Sequence, residues 1–268
     1  MSASSTEVLA APALQTTNPL PKSIDEVIAR LEAIIADCKA NNHRAGYFAV
    51  LYHRVTCKIK ECIANKDFED GLRMEKLDVL FANRYIAAYD AFRAGKKPTS
   101  SWHIAFETTA VNVPLVLQHL LLGINAHINL DLGIAAVETM DGGDLAGIQK
   151  DFYTINKVLS DLVDACERCM EKVNPLLKLL HLKWFHFDDM LVAFSINTAR
   201  DGAWLFANEV GKKQGKAYHE CIAARDQKIT ELAGIIAKPK GLMLRFVLQI
   251  VRFFEKKKIA DVIHLLGT

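Results

Sequence analysis

Residues 125 to 131, Asn-Ala-His-Ile-Asn-Leu-Asp, put an imidazole and a carboxylate four positions apart inside the most apolar part of the chain, LQHLLLGINAHINLDLG (117–133). An α-helix turns about 100° per residue, so His127 and Asp131 point the same way, and His119, eight positions earlier, lies about 80° around from His127. A histidine nitrogen and a carboxylate oxygen on one helix face suit zinc or iron, with His119 as a third metal ligand. Asn125 and Asn129, also four apart, can orient such ligands, and Asn125 is a candidate substrate-binding residue. Buried polar groups are costly unless each finds a partner, so their density here points to a metal-centred or acid/base site. The plainer reading is that His127 and Asp131 pair with each other or cap a neighbour, with Gly133 ending the helix soon after.

A second cluster lies in FEDGLRMEKLDVLFANRY (68–85), where Met74, Glu75, Asp78, Phe81, Ala82 and Tyr85 share a helix face. Carboxylates among apolar and aromatic residues carry raised pKa values or a cationic partner, so Glu75 and Asp78 are candidates for metal ligand or general base. The competing reading is a buried ion pair with Arg73 or Arg84. A third cluster, SINTARDGAW (195–204), spaces Asn197, Arg200, Asp201 and Trp204 at helical intervals. Arg200 can grip an anionic substrate group in two places, or it can neutralise Asp78 or Asp131 across the core. Asp201 joins it as a candidate catalytic residue and Trp204 as a substrate-binding wall. His53 beside Tyr52, Trp102 beside His103, and Asp151 and Asn156 complete the candidate cavity residues, with His53 and Trp102 assigned to substrate binding.

Cys166 and Cys169 form a lone CERC whose spacing puts both thiols on one side of a helix, which reads as ordinary helix cysteines rather than a zinc or redox pair. HFDDML (186–191) has two of the acids of a diphosphate-binding helix motif and lacks the third. No Walker loop, GxSxG elbow, dinucleotide fingerprint or HExxH is present.

The elements that must position these groups are helical throughout. Ser23 with Glu26 makes a capping box for a helix whose Ile24, Val27, Ile28, Leu31, Ile34 and Ile35 repeat at helical spacing. Two more helices follow before Gly95 and Pro98. The run from about 103 to 140 contains Pro114 and Gly133 and is expected in two or three pieces with a bend. Asp144 caps a long amphipathic helix that ends near Pro175, and further helices are expected at roughly 185–211, 215–236 and 241–265. The expected fold is all-α, a single-domain bundle of roughly eight helices over 23–268, with 1–22 as a disordered lead-in.

With 51% hydrophobic residues the chain can bury a large core, and 33 basic against 31 acidic residues give a net charge of +2 that does not suggest nucleic acid as a partner. The N-terminal stretch lacks a basic start and a continuous apolar run, and the apolar stretches are broken before the eighteen or so residues a membrane span needs. A cytoplasmic protein with reduced thiols is the expectation. The last expected helix carries Arg245, Arg252 and Lys256 to Lys258, a basic amphipathic element suited to an anionic membrane surface or to the bundle itself.

The combination RMEKLDVLFANRY, SWHIAF, LLGINAHINLDLG and RDGAW resembles an uncharacterised family of helical bacterial proteins, a domain of unknown function with an Asn-Ala-His-Ile-Asn-x-Asp-Leu core, over about residues 25 to 255. The resemblance implies an all-helical fold and no particular reaction. More distantly, a helical bundle with a His-x-x-x-Asp helix is similar to zinc-dependent phospholipases C and related nucleases, whose His-rich ligand set and N-terminal tryptophan ligand this chain lacks. The leading functional expectation is a metal-dependent hydrolase using zinc or iron to activate water against an ester or phosphoester of a small or lipid-like substrate. The alternatives are a di-iron oxidase or oxygenase and a non-catalytic helical binding or scaffold protein with a buried polar network.

Overall fold

Local capping chemistry starts the helices. The Glu26 backbone N–H donates to the Ser23 hydroxyl (3.3 Å), opening α1 (Ile24–Ala40), and Asp70 accepts from Arg73 N (3.0 Å) to open α3 (Gly71–Arg93). Between them runs α2 (Gly46–Ala64), and α4 (Ser100–Thr109) follows. The computed structural model describes residues 19–176 and 196–268; the HFDDML motif, most of the lead-in and the start of the helix expected at 185 lie outside the described residues.

Pro114 separates α4 from the next helix, but Gly133 does not interrupt that helix. The chain is helical without interruption from Val116 to Met140, as α5 (Val116–Ala126), a π turn (His127–Asp131) and α6 (Leu132–Met140). In that turn the Leu132 N–H reaches back to the His127 carbonyl, one residue further than an α-helix would. This central helix is long and apolar enough to cross a membrane by length and composition, yet 83% of its apolar window is buried inside the bundle. It packs against α2, α3 and α4, and against α8 (Ile196–Val210) and α9 (Gly215–Ala237). A short 3-10 turn (Leu145–Ile148) leads into α7 (Gln149–Val173).

The single helix expected at 241–265 is two, α10 (Leu242–Phe254) and α11 (Ile259–Leu266). The break has a tertiary cause. Glu255 leaves the helix with ψ 140° so that its carboxylate accepts from Val116 N at the start of α5 (3.0 Å), and Lys256 N donates to the Val173 carbonyl (3.0 Å). With this split, eleven α-helices and no strand occur among the described residues, an all-α domain with somewhat more helices than expected.

Close approach to the central helix depends on its glycines. A Cβ at Gly123 would run into the Phe48 ring of α2, and one at Gly133 would lie 2.7 Å from Phe206 Cδ1 and 2.9 Å from the Ala203 carbonyl of α8. Overpacking of this kind costs about 1–3 kcal/mol. Gly123→Ala is expected to lower unfolding free energy by that amount in chemical denaturation, whereas Gly234→Ala, where a Cβ meets nothing, is expected to hold or raise it.

Candidate functional site

The π turn brings His127 and Asp131 against the middle of α3 and the first turn of α4. Asp131 is 1% exposed, and both of its oxygens are engaged: Arg84 Nε donates to Oδ1 (3.0 Å) and Trp102 Nε1 donates to Oδ2 (2.7 Å). His127 Nδ1 stands 3.5 Å from Oδ2 without hydrogen-bond geometry. Arg84 is partly exposed and reaches from the core to Glu138 (3.7 Å) at the rim, so the buried carboxylate is neutralised by a cation that still touches water. Trp102 is held in turn by Asp226 of α9, whose two oxygens accept from Ser100 N (2.7 Å) and Ser101 N (3.0 Å) at the start of α4.

Around His127 the chain gathers aromatic rings. Phe81 stacks on the imidazole at 3.5 Å and 6°, and the Tyr52 ring meets it edge-on at 4.4 Å. Phe48 and Tyr85 complete the wall. Burial lowers the His127 pKa, and Asp131 only partly opposes it, so the imidazole is neutral. One turn before Phe81 on α3, the Asp78 carboxyl is pushed up to about 7, first by burial and then by the Glu75 charge. The Tyr52 hydroxyl is pushed well above its ordinary value by burial, and further by the charges of Asp78 and Asp131. Tyr52 Oη, Asp78 Oδ2, Tyr85 Oη and both nitrogens of His127 are buried and have no hydrogen-bond partner among the described residues. Buried polar atoms left in this way call for ordered water or a bound polar molecule.

The other residues singled out by the sequence fall elsewhere. His119 is about 12 Å along the helix from His127 at the α-helical rise, against Tyr47 (5.8 Å), so the three expected metal ligands do not share one cavity. Burial, then the charges of Arg44 and Arg252, push its imidazole down to about 3. Glu75 accepts from Ile24 N (3.2 Å) at the start of α1, and His53 turns away to Glu32 (3.4 Å) and Cys57. Asn125 donates to the Ile229 carbonyl (3.0 Å) and accepts from Asn129 (3.0 Å), fastening the central helix to α9.

Arg200 reaches neither Asp78 nor Asp131. It donates to Asn156 Oδ1 and the Phe152 carbonyl of α7, lies 4.5 Å over the Phe152 ring, and is pushed down to about 10 by burial. Trp204 packs on Phe152 (5.0 Å) and Tyr153, and Asp201 on the same helix is exposed. Arg73 is taken by Asp151, which also caps the chain at Glu69 and Asp70, so Asp78 has neither of its expected arginine partners. All six cysteines are free, and Cys166 is pushed up to about 11 by burial.

A divalent cation at Asp131 would have to displace Arg84 and Trp102, and a second cation-binding arm at His119 is out of reach. Among the described residues no group of three or more His, Cys, Asp or Glu side chains gathers. As arranged here, Asp131 is bonded to Arg84 and Trp102 and is not free to ligate a cation.

Every residue of this site falls within residues 24–239, which match the family of unknown function DUF5995. The chain belongs to that family. The DUF5995 match ends just before α10, so the two C-terminal helices lie beyond the matched region. Neither the curated proteins nor the solved structures yield a match.

The Arg84–Asp131 pair yields a direct test. Removing one partner of a buried pair costs about 3 kcal/mol or more, whereas removing both costs less. Asp131→Asn is expected to destabilise the protein by about that amount in urea denaturation, and Arg84→Met added to it is expected to recover part of the loss. Additive losses would show that the two groups act independently.

Proposed function

We propose that this protein takes a small polar molecule into the aromatic-lined core between α2, α3 and the central helix, with Asp78 as its proton-transfer group. One observation carries the reading: on the helix that brings Phe81 onto His127, the buried Asp78 carboxyl, pushed up to about 7, has an unpartnered oxygen. At neutral pH such a carboxyl is present as acid and as base in comparable amounts, the condition that general acid/base catalysis needs. The neutral imidazole of His127 brings one donor and one acceptor, and the Tyr52 hydroxyl brings both. Asp131, with both oxygens occupied, acts as a positioning group for Trp102 and Arg84.

The saturated Asp131 is also the specific observation that favours a second reading, a non-catalytic binding protein whose polar core is structural. Metal-assisted hydrolysis or di-iron oxidation would require a cation able to draw Asp131 away from Arg84. Elemental analysis of the purified protein is expected to find zinc and iron far below one per chain; one bound metal per chain would restore the hydrolase reading.

The titration of Asp78 can be read through stability. Its pKa in the fold, about 7, lies above its ordinary 3.8, so the group's contribution is most favourable below 3.8, declines as pH rises towards 7 and stays low beyond it. His127 and His119, both lowered, work in the opposite direction as pH falls below 6.5. The difference between wild type and Asp78→Asn isolates the carboxyl. Thermal melts are expected to show the variant more stable than wild type above pH 7, with the gap closing towards pH 4. Parallel curves would remove Asp78 as a neutral-pH proton donor and acceptor. A thermal-shift screen of small polar molecules is expected to give hits on wild type that Tyr52→Phe and Asp78→Asn lose; hits that both variants keep would place binding elsewhere.

A further inference from the structure

The outer side of α10 carries a row of large apolar side chains in solvent: Leu242 (87% exposed), Phe246 (63%), Ile250, Phe253 (74%) and Phe254. Positions 242, 246, 250 and 253 fall on one stripe at helical spacing. The opposite side is anchored, with Leu248 and Val251 buried against Leu115. Single exposed apolar residues are ordinary on a protein surface, whereas a contiguous stripe of this kind marks a binding surface.

The charges around the stripe are one-sided. Residues 238–258 hold Lys238, Lys240, Arg245, Arg252, Lys256, Lys257 and Lys258, and one acid, Glu255, in a chain whose net charge is only +2. Glu255 is buried and already bonded to Arg252 and Val116 N. Lys238, Lys240, Arg245 and the three consecutive lysines are exposed, and Lys257 Nζ lies 5.9 Å over the Phe253 ring at the edge of the stripe.

We propose that α10 docks this protein on an anionic lipid surface, with Leu242, Phe246, Ile250 and Phe253 entering the headgroup layer and the flanking lysines meeting lipid phosphates and carboxylates. An apolar helix face bordered by cations is the composition of an interfacial helix, and basic residues near an anionic leaflet each add to the attraction. A second copy of the chain fits less well, because pairing this face with itself would set cations against cations. The anchoring of Glu255 and Lys256 to the starts and ends of α5 and α7 keeps the helix presented on the bundle.

Cosedimentation of the full chain with vesicles tests this. Binding is expected to phosphatidylcholine vesicles containing phosphatidylserine, to weaken with added salt, and to be near absent with phosphatidylcholine alone. Phe246→Ser combined with Phe253→Ser is expected to reduce binding about tenfold or more with an unchanged melting temperature, as both side chains are exposed. Conversion of Lys256, Lys257 and Lys258 to Gln is expected to reduce it about tenfold or more as well. Failure to bind phosphatidylserine vesicles, or equal binding by both variants, overturns the proposal. A large fall in melting temperature of the serine variant would instead show the stripe covered by the chain's own residues. A dimer in gel filtration that this variant loses would assign the face to a second copy.

Discussion

A carboxylate at the centre of an apolar bundle is tolerable only when its lone pairs are met and its charge is balanced, and in this protein Asp131 imposes that condition on everything around it. Trp102 must bring its indole N–H from α4, and Arg84 must bring a guanidinium from α3. The Trp102 requirement passes to α9, because Asp226 binds the first backbone N–H groups of α4. Four elements are thereby registered on one side chain. The cost of burying the charge is moderated by geometry, since Arg84 remains partly exposed and meets Glu138 at the rim.

The same turn of helix separates a satisfied half of the core from an unsatisfied half. Asp131 has donors on both oxygens, while a short way off His127, Tyr52, Tyr85 and Asp78 bury polar atoms with nothing among the described residues to bond them. In an ordinary core such groups would be replaced by apolar ones of similar shape. Their presence around a stacked imidazole is what the proposed acid/base or binding role rests on, while Asp131 is fully bonded into the scaffold. The π turn, with His127 and Asp131 at its two ends, lies at the point where the helix meets α3, α8 and α9.

Much of this was legible in residue order. The helical period of α1, the Ser23 cap and the apolar face of α3 are local patterns, and local patterns act through the few residues on either side. The polar cluster of 125–131 and the carboxylates of α3 stood out for the same reason, as polar types set among apolar neighbours. The pairings did not. Residue types offered Arg200 to Asp131 and Arg73 or Arg84 to the carboxylates of α3, and only the packing of α3 against the π turn hands Arg84 to Asp131, leaving Arg200 of α8 against Phe152 and Asn156 of α7. Spacing placed His119 on nearly the same face as His127, but the rise along the helix carries it more than two turns away.

The C-terminal helices make the distinction clearest. Sequence by itself determined that the stretch 241–265 is helix-forming, apolar on one side and basic towards its later part, because helical periodicity and charge are properties of neighbouring residues. Only the tertiary structure decided that the helix breaks at Glu255, because the break trades continued helix hydrogen bonds for a carboxylate bonded to Val116 N and a backbone bond from Lys256 to Val173. Those partners lie 139 residues away for Glu255. The amphipathic pattern of the whole segment reads the same whether it continues straight or folds back, so the long-range bonds alone could fix which apolar residues are buried and which are left in solvent.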